Sequence, residues 1–307
     1  MTFCAILYTN LYAQKDTLSF LHITDMHLMF NLENYDQDIV HHREYTRNYK
    51  EGYDIFRQFM ETIPDQTDSD MVIATGDVVD FFESTTRQGN KLAQQVELFA
   101  DLIKNYHHPF YMTIGNHDIF SFDWGENKVI PNQLQAARAK AAWIRNFDCY
   151  RNGTYYSRVY EVGSTTYRLI FLDNGFYQFK KNEGVVVPYI DKPQLHWLQA
   201  ELAVSDDDVE IILMHIPFTE KSILPESNNE LYEALTSVSS VRLILAGHHH
   251  RDKMMSLPLS DGKQIIQFET GALVSGIDKW RQVRLTEKNI IISSMGATES
   301  ELIILVK

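Results

Sequence analysis

The sequence predicts a layered α/β fold, and three features point to it: short unbroken apolar runs, longer stretches of helical spacing between them, and strand-like pieces grouped near the end of the chain. The runs cover residues 18–23, 71–74, 110–114, 169–172, 211–214 and 243–246. Each is too short for a helix and lacks polar alternation, the pattern of a strand covered on both faces. Helical spacing occupies 49–63, 91–106, 133–147, 193–204 and 228–238. In 193–204, Pro193 falls where a first helical turn tolerates it, and Leu195, Leu198 and Leu202 recur at steps of three and four. After residue 250, pieces at 264–268, 282–285, 290–293 and 302–306 read as a second sheet, antiparallel at least in part, that completes a sandwich.

With 307 residues and 44% hydrophobic content, the chain can bury one large core. A net charge of −13 disfavours nucleic acid as a partner, because phosphate backbones are repelled. Two cysteines, Cys4 and Cys149, supply neither a disulfide framework nor a thiolate metal site. Residues 1–15 read as a signal peptide or a disordered N-terminus, and 16–307 as a single domain. The apolar start and small Ala13 lean towards export or the periplasm over the cytoplasm, and no later run is long enough to form a transmembrane segment.

The chemistry lies where polar residues follow the runs. Residues 18–23 lead into Thr24-Asp25-Met26-His27, 71–74 into Thr75-Gly76-Asp77, 110–114 into Gly115-Asn116-His117-Asp118, 211–214 into His215, and 243–246 into Gly247-His248-His249-His250. Carboxyl ends of strands are where open α/β sheets bind ligands. Imidazole and carboxylate donors without thiolates suit a catalytic site for zinc, iron or manganese rather than a closed structural zinc site. A lone His or Asp at a strand end is more often a turn residue, but the ordered set argues against chance.

The order D-x-H, G-D-x-x-D, G-N-H-D, H, G-H-x-H from Asp25 to His250 resembles the calcineurin-like metallophosphoesterases. That resemblance implies a four-layer α/β/β/α sandwich of two mixed sheets. It assigns Asp25, His27, Asp77 and His250 to one metal and Asp77, Asn116, His215 and His248 to another, with Asp77 bridging. The cofactors so implied are two divalent or trivalent ions of manganese, iron or zinc, which clamp phosphate oxygens and activate a shared water to hydroxide. His117 becomes the proton donor to the departing alkoxide, oriented by Asp80, and Asp118 a support of the turn.

Within the superfamily, purple acid phosphatases carry a tyrosine where this chain has Asp80. Protein Ser/Thr phosphatases carry arginine and glutamate where it has Phe81 and Asp118. The G-N-H-D form, Leu172-Asp173-Asn174-Gly175 and the segment Gln194-Leu195-His196-Trp197-Leu198 look like the branch of class III cyclic-nucleotide phosphodiesterases. The expected function is a phosphodiesterase acting on a small phosphoester with a nucleotide-like or lipid-headgroup moiety. A phosphomonoesterase would want further cations, for which Arg43, Lys180, Lys181 and Arg251 are in or near the loops; a metal-depleted binding module is the third reading.

Other residues invite simpler readings. His249 lies between two ligands and points away if the segment is extended, His22 reads as a core histidine, and the pairs His41-His42 and His107-His108 as solvated surface. Loops at 28–48, 119–132, 174–190 and 217–227 carry Phe30, Tyr35, Phe120, Phe122, Trp124, Phe176, Tyr177, Phe179 and Phe218. These rings form either a partly aromatic pocket or the packing of the loops onto the domain.

Overall fold

The computed structural model describes residues 16–180, 185–205, 208–224, 227, 229–259 and 262–306; the segment 1–15 read as a signal lies outside them. The six apolar runs form the strands Thr17–Ile23, Met71–Thr75, Phe110–Thr113, Thr165–Phe171, Val209–Leu213 and Val241–Ala246. The helical stretches become Gly52–Gln66, Gln95–Ile103, Ala136–Asn146, Lys192–Val204 and Glu230–Thr236. Local chemistry sets their ends. Asp191 caps Lys192–Val204 by accepting from Gln194 N at 2.8 Å, Pro193 occupies the first turn, and Leu195, Leu198 and Leu202 are buried. The second helix starts later than its spacing predicts, at Gln95, because Lys91–Leu92 pairs instead with the short strand Glu83–Thr85.

Two six-stranded mixed sheets result. In the first, the spatial order is Ser300–Leu305, Asn289–Ser293, Arg281–Thr286, Thr17–Ile23, Met71–Thr75, Phe110–Thr113, the last three parallel and the others antiparallel. In the second it is Lys253–Pro258, Gln264–Glu269, Val241–Ala246, Val209–Leu213, Thr165–Phe171, Tyr156–Val162, with four parallel central strands between antiparallel edges. The grouping expected for the C-terminal pieces is thereby corrected. Only Gln264–Glu269 joins the second sheet, while the three strands after it extend the first by pairing with the open side of Thr17–Ile23, from Thr17 opposite Thr286 to His22 opposite Arg281. An apolar opening strand with one side unpaired is a costly edge, and these strands cover it.

Side-chain alternation sorts the layers. Phe110 packs against Phe56 and Phe99 of two helices at ring distances of 6.2 and 5.8 Å, while the next residue, Tyr111, packs against Phe171 of the other sheet at 6.1 Å. In the second sheet Leu169, Phe171, Ile211, Leu213, Leu243 and Leu245 share a core with the first. Their neighbours Ile170, Ile212 and Ile244 pack with Leu198, Leu202, Leu231 and Leu235 of the two outer helices. The layers therefore run helices, sheet, sheet, helices, the sandwich that the resemblance implies. Among the described residues no helix is long and apolar enough to cross a membrane.

Glu210 sits in the central strand Val209–Leu213 with no exposed surface, and Ser240 Oγ donates to its Oε2 at 2.6 Å. Burial pushes its carboxyl from 4.5 up to about 7, against the hydrogen bonds from Ser205 and Ser240. Since the folded value lies above the unfolded one, the neutral acid's contribution to stability is complete below pH 4.5 and lost as pH rises through 7. Between pH 5 and pH 8 the unfolding free energy of the wild type should fall by about 2 kcal/mol relative to Glu210→Gln. Denaturant titrations of both proteins test this, and parallel profiles would refute it.

Candidate metal centre

The turns that follow the strands adopt backbone conformations that ordinary residues avoid. Asp25, His27, Asp77, His248 and His250 all have positive φ, at 52, 46, 50, 72 and 55°. Each such residue costs on the order of 1–3 kcal/mol, and such strain clusters where function requires it. Backbone bonds between turns hold the geometry: Asp25 N to Gly76 O at 3.1 Å, His27 N to Asp77 O at 2.9 Å, and Gly247 N to His215 O at 3.0 Å. Two glycines are required by close approach. A Cβ on Gly115 would lie 2.3 Å from Asp77 Oδ1, and one on Gly247 2.4 Å from Asp25 Oδ2.

Each buried carboxylate has one oxygen pinned and one turned inward. Asp25 Oδ2 accepts from Thr24 Oγ1 and from His248 N, both at 2.8 Å, and Asp77 Oδ1 accepts from His117 N at 2.7 Å. Asp25 Oδ1 is buried with no hydrogen-bond partner. It lies 3.3 Å from His250 Nε2 and 3.9 Å from His27 Nε2, and those two nitrogens are 3.1 Å apart. Asp77 Oδ2 lies 3.3 Å from His215 Nε2, which is in turn 3.0 Å from Asn116 Oδ1 and 3.3 Å from His248 Nδ1. The same Asp77 oxygen is 3.8 Å from His27 Nε2, so it faces both groups. The structure thus brings together all seven residues that the sequence singles out as ligands. An unpartnered buried carboxylate oxygen among imidazole nitrogens is a donor set that fits a cation.

The nitrogens that face away are also placed. His27 Nδ1 is 3.0 Å from Asp80 Oδ1, and His215 Nδ1 is 2.8 Å from Thr75 O. Asn174, in the Leu-Asp-Asn-Gly segment, fixes the His215 turn by accepting from His215 N and Ile216 N at 3.0 and 3.1 Å. Protonation follows from these contacts. Burial opposes ionisation of Asp25 and Asp77, but nearby imidazoles hold both carboxyls low, Asp25 at about 2. Burial and neighbouring imidazoles push His27 down to about 4 and His248 to about 3; His215 rises to about 9, because Asp77 outweighs the burial that opposes its charge. A bound cation would stand in place of the proton on His215.

Asp80 connects this cluster to a residue that spacing alone did not place. Arg43 Nε and Nη2 donate to its Oδ2 and Oδ1 at 2.7 and 2.6 Å, a buried bidentate pair, and its guanidinium lies over Tyr49 and Phe122. Tyr49 in turn stacks on His27 at 4.3 Å. His117 Nδ1 is 2.8 Å from Asp80 O and 3.3 Å from Asp80 Oδ1. Both Asp80 oxygens are engaged by Arg43, so His27, Asp80 and His117 form a hydrogen-bonded network rather than a third ligand set. Arg43, one of the four cations in or near the loops that a monoester could use, is 4% exposed and consumed by Asp80. Arg251 is likewise paired, its Nε donating to Glu269 Oε2 at 2.9 Å, while the side chains of Lys180 and Lys181 lie outside the described residues.

The remaining expectations resolve as follows. His249 lies 2.7 Å from Glu269, away from the cluster. His22 is fully buried between Thr270 and Thr75, 2.8 Å from each hydroxyl. His107 and His108 both reach Asp65 at the surface. Asp118 holds its turn by accepting from Val79 N and Gly115 N at 3.0 and 2.7 Å. Of the loop rings, Tyr35, Phe122 and Phe218 are buried, and Phe30, Phe120 and Phe176 pack against the cores. Most of these aromatics therefore hold the loops down, Phe218 while also bounding a cavity, and the side chain of Phe179 lies outside the described residues.

A two-sheet sandwich that gathers carboxylate, imidazole and amide donors at one shared strand edge defines a scaffold with a candidate metal site. The chain belongs to the calcineurin-like phosphoesterase family, which it matches over residues 18–252. Its fold is similar to that of a dimetal phosphatase from Danio rerio, with a TM-score of 0.61 and 15% identity over 94% of this chain and 99% of that one. It is also similar to GAP50, the anchor in the inner membrane complex of Plasmodium, with a TM-score of 0.53 and 12% identity over 95% and 89% of the two chains. No curated protein sequence matches.

Removing Arg43 takes the cationic partner from the buried Asp80 carboxylate and leaves it only its contacts with His27 and His117, a loss that typically costs about 3–5 kcal/mol. Arg43→Met should therefore lower the unfolding free energy by that order, and Arg43→Lys, which keeps the charge but loses the fork, by less. Equal stability of wild type and Arg43→Met in denaturant would contradict the role assigned to this pair.

Proposed function

We propose that this chain, with residues 16–307 as one catalytic domain, is a dinuclear metal-dependent hydrolase of a small phosphodiester. The observation that carries the reading is Asp77 Oδ2, which faces His27 Nε2 at 3.8 Å on one side and His215 Nε2 at 3.3 Å on the other, the position of a bridging ligand. In this reading Asp25, His27, Asp77 and His250 hold one ion, and Asp77, Asn116, His215 and His248 the other. Manganese, iron or zinc suits oxygen and imidazole donors of this kind. When bound, the pair supplies Lewis acidity and activates water near neutral pH.

The chain's own residues orient the substrate's departure. His117 is held through Nδ1 by Asp80, and its side chain keeps 17% exposure, so Nε2 is left to face substrate. In the metal-free chain burial opposes charge on this ring, but Asp77 and then Asp80 outweigh it and raise its pKa. A protonated Nε2 gives its proton to the leaving oxygen as the P–O bond breaks. Asp80, fixed by Arg43, acts through His117 and His27.

Preference for a diester rests on charge. A dianionic monoester calls for additional free cations. Arg43 and Arg251 are engaged by Asp80 and Glu269, and the chain carries a net charge of −13. A cavity of about 560 Å³ bounded by Asn174, Tyr189, Phe218 and Lys221 adjoins the His215 turn. It offers room for the organic group of a nucleotide-like or headgroup ester. A complete donor set also speaks against a binding module, which has no need of one.

Chelation should abolish hydrolysis, and manganese, zinc or iron should restore it, with bis(p-nitrophenyl) phosphate cleaved faster than p-nitrophenyl phosphate. Asp77→Asn should remove activity altogether, and His117→Ala should lower kcat by about 10²–10⁴. Faster monoester cleavage would replace the diester reading with a phosphomonoesterase, and a protein that binds no ions would end the catalytic one.

A further inference from the structure

We infer that Tyr177 is a positioning residue for the second ligand set: its phenol holds the His248 ring with Nδ1, not Nε2, directed at the metal position shared with Asp77, Asn116 and His215. This rests on the dinuclear reading above. Tyr177 lies on the hairpin formed by Phe176–Lys180 and Val185–Tyr189. Its hydroxyl is 3.0 Å from His248 Nε2.

That contact is anchored at both ends. On one side Gln133 clamps the Tyr177 backbone, with Gln133 Oε1 accepting from Tyr177 N at 2.8 Å and Gln133 Nε2 donating to Tyr177 O at 3.2 Å. On the other, the His248 backbone is fixed in its left-handed turn, with its N–H donated to Asp25 Oδ2 at 2.8 Å. The imidazole between them has one nitrogen left for the cluster, Nδ1, which is 3.3 Å from His215 Nε2. His27 and His215 do the reverse, turning Nε2 inward and giving Nδ1 to Asp80 and to Thr75 O. His248 differs from them because a phenol, carried in from a distant hairpin, occupies its Nε2.

The chemical consequence is tautomer control. A metal ligand needs a lone pair on the binding nitrogen and a proton on the other, and the outer partner that accepts this proton fixes both the tautomer and the ring orientation. Here the Tyr177 oxygen accepts from His248 Nε2–H. Without it, that N–H is left in a largely buried place, and the ring is free to turn Nδ1 away from the cluster.

The test is calorimetric titration of Mn²⁺ into the full chain stripped of metal, for the wild type, Tyr177→Phe and Gln133→Ala. Tyr177→Phe should weaken one of two binding steps by about ten- to a hundredfold and leave the other within about twofold. Gln133→Ala should weaken the same step by less, and each variant should lower the metal-free unfolding midpoint only modestly. In Co²⁺-loaded protein, Tyr177→Phe should change the visible absorption of one site only. Two unchanged steps, or two steps weakened equally together with a sharply lowered midpoint, would overturn the role of Tyr177 alone. A wild type that binds fewer than two ions would overturn the dinuclear reading and this inference with it.

Discussion

Two wholly buried carboxylates, Asp25 and Asp77, lie where the two sheets meet, and the arrangement of the candidate metal centre follows from having them there. An ionised carboxylate removed from water costs several kcal/mol unless positive charge and hydrogen-bond donors surround it. Asp25 takes one oxygen's share from Thr24 and the His248 backbone, and Asp77 takes it from the His117 backbone. The other oxygens face imidazoles delivered from both sheets. Compensation draws on both sheets, since His27 comes from the first while His215, His248 and His250 come from the second. The sandwich and the cluster are therefore one arrangement: stacking the two sheets face to face, with the carboxyl ends of their parallel strands together, is what supplies the second half of the donor set.

Strain is concentrated at the same place. Five of the seven donor residues adopt left-handed backbone conformations, and two glycines let the neighbouring turns approach within van der Waals contact of the carboxylates. A rigid core beneath must over-determine such turns. The strands that end in them are buried along most of their length, Met71–Thr75 at every residue and Thr17–Ile23 and Val241–Ala246 at all but one. Ring stacking and hydrogen bonding finish the work above the core, where Tyr49 lies on His27, Arg43 on Asp80 and Tyr177 on His248.

Much of the fold was legible because buried parallel strands leave an unbroken apolar signature and amphipathic helices a periodic one. The pairing of the C-terminal strands was not. Arg281–Thr286, Asn289–Ser293 and Ser300–Leu305 carry ordinary strand patterns, and nothing in those patterns says which of two sheets has an open edge; Thr17–Ile23, more than 250 residues earlier, supplies it. The helix start at Gln95 was displaced for the same reason, since Lys91–Leu92 found a strand partner that its helical spacing does not advertise. Loop aromatics such as Tyr35 and Phe122 looked available for substrate, yet a ring in a loop gains more by covering its own segment than by waiting for a ligand.

The sequence by itself determined the candidate donor residues and their order, because each stands beside a run whose apolar character is written locally: Asp25, His27, Asp77, Asn116, His215, His248 and His250 each come directly after, or within a few residues of, a buried run. Only the tertiary structure decided which nitrogen of each histidine turns inward and what holds it there. Arg43 reaches Asp80 across 37 residues and Tyr177 reaches His248 across 71, distances over which a linear pattern carries no signal. Those pairings depend on where two sheets and a hairpin come to rest, and that is settled by packing rather than by any local run of residues.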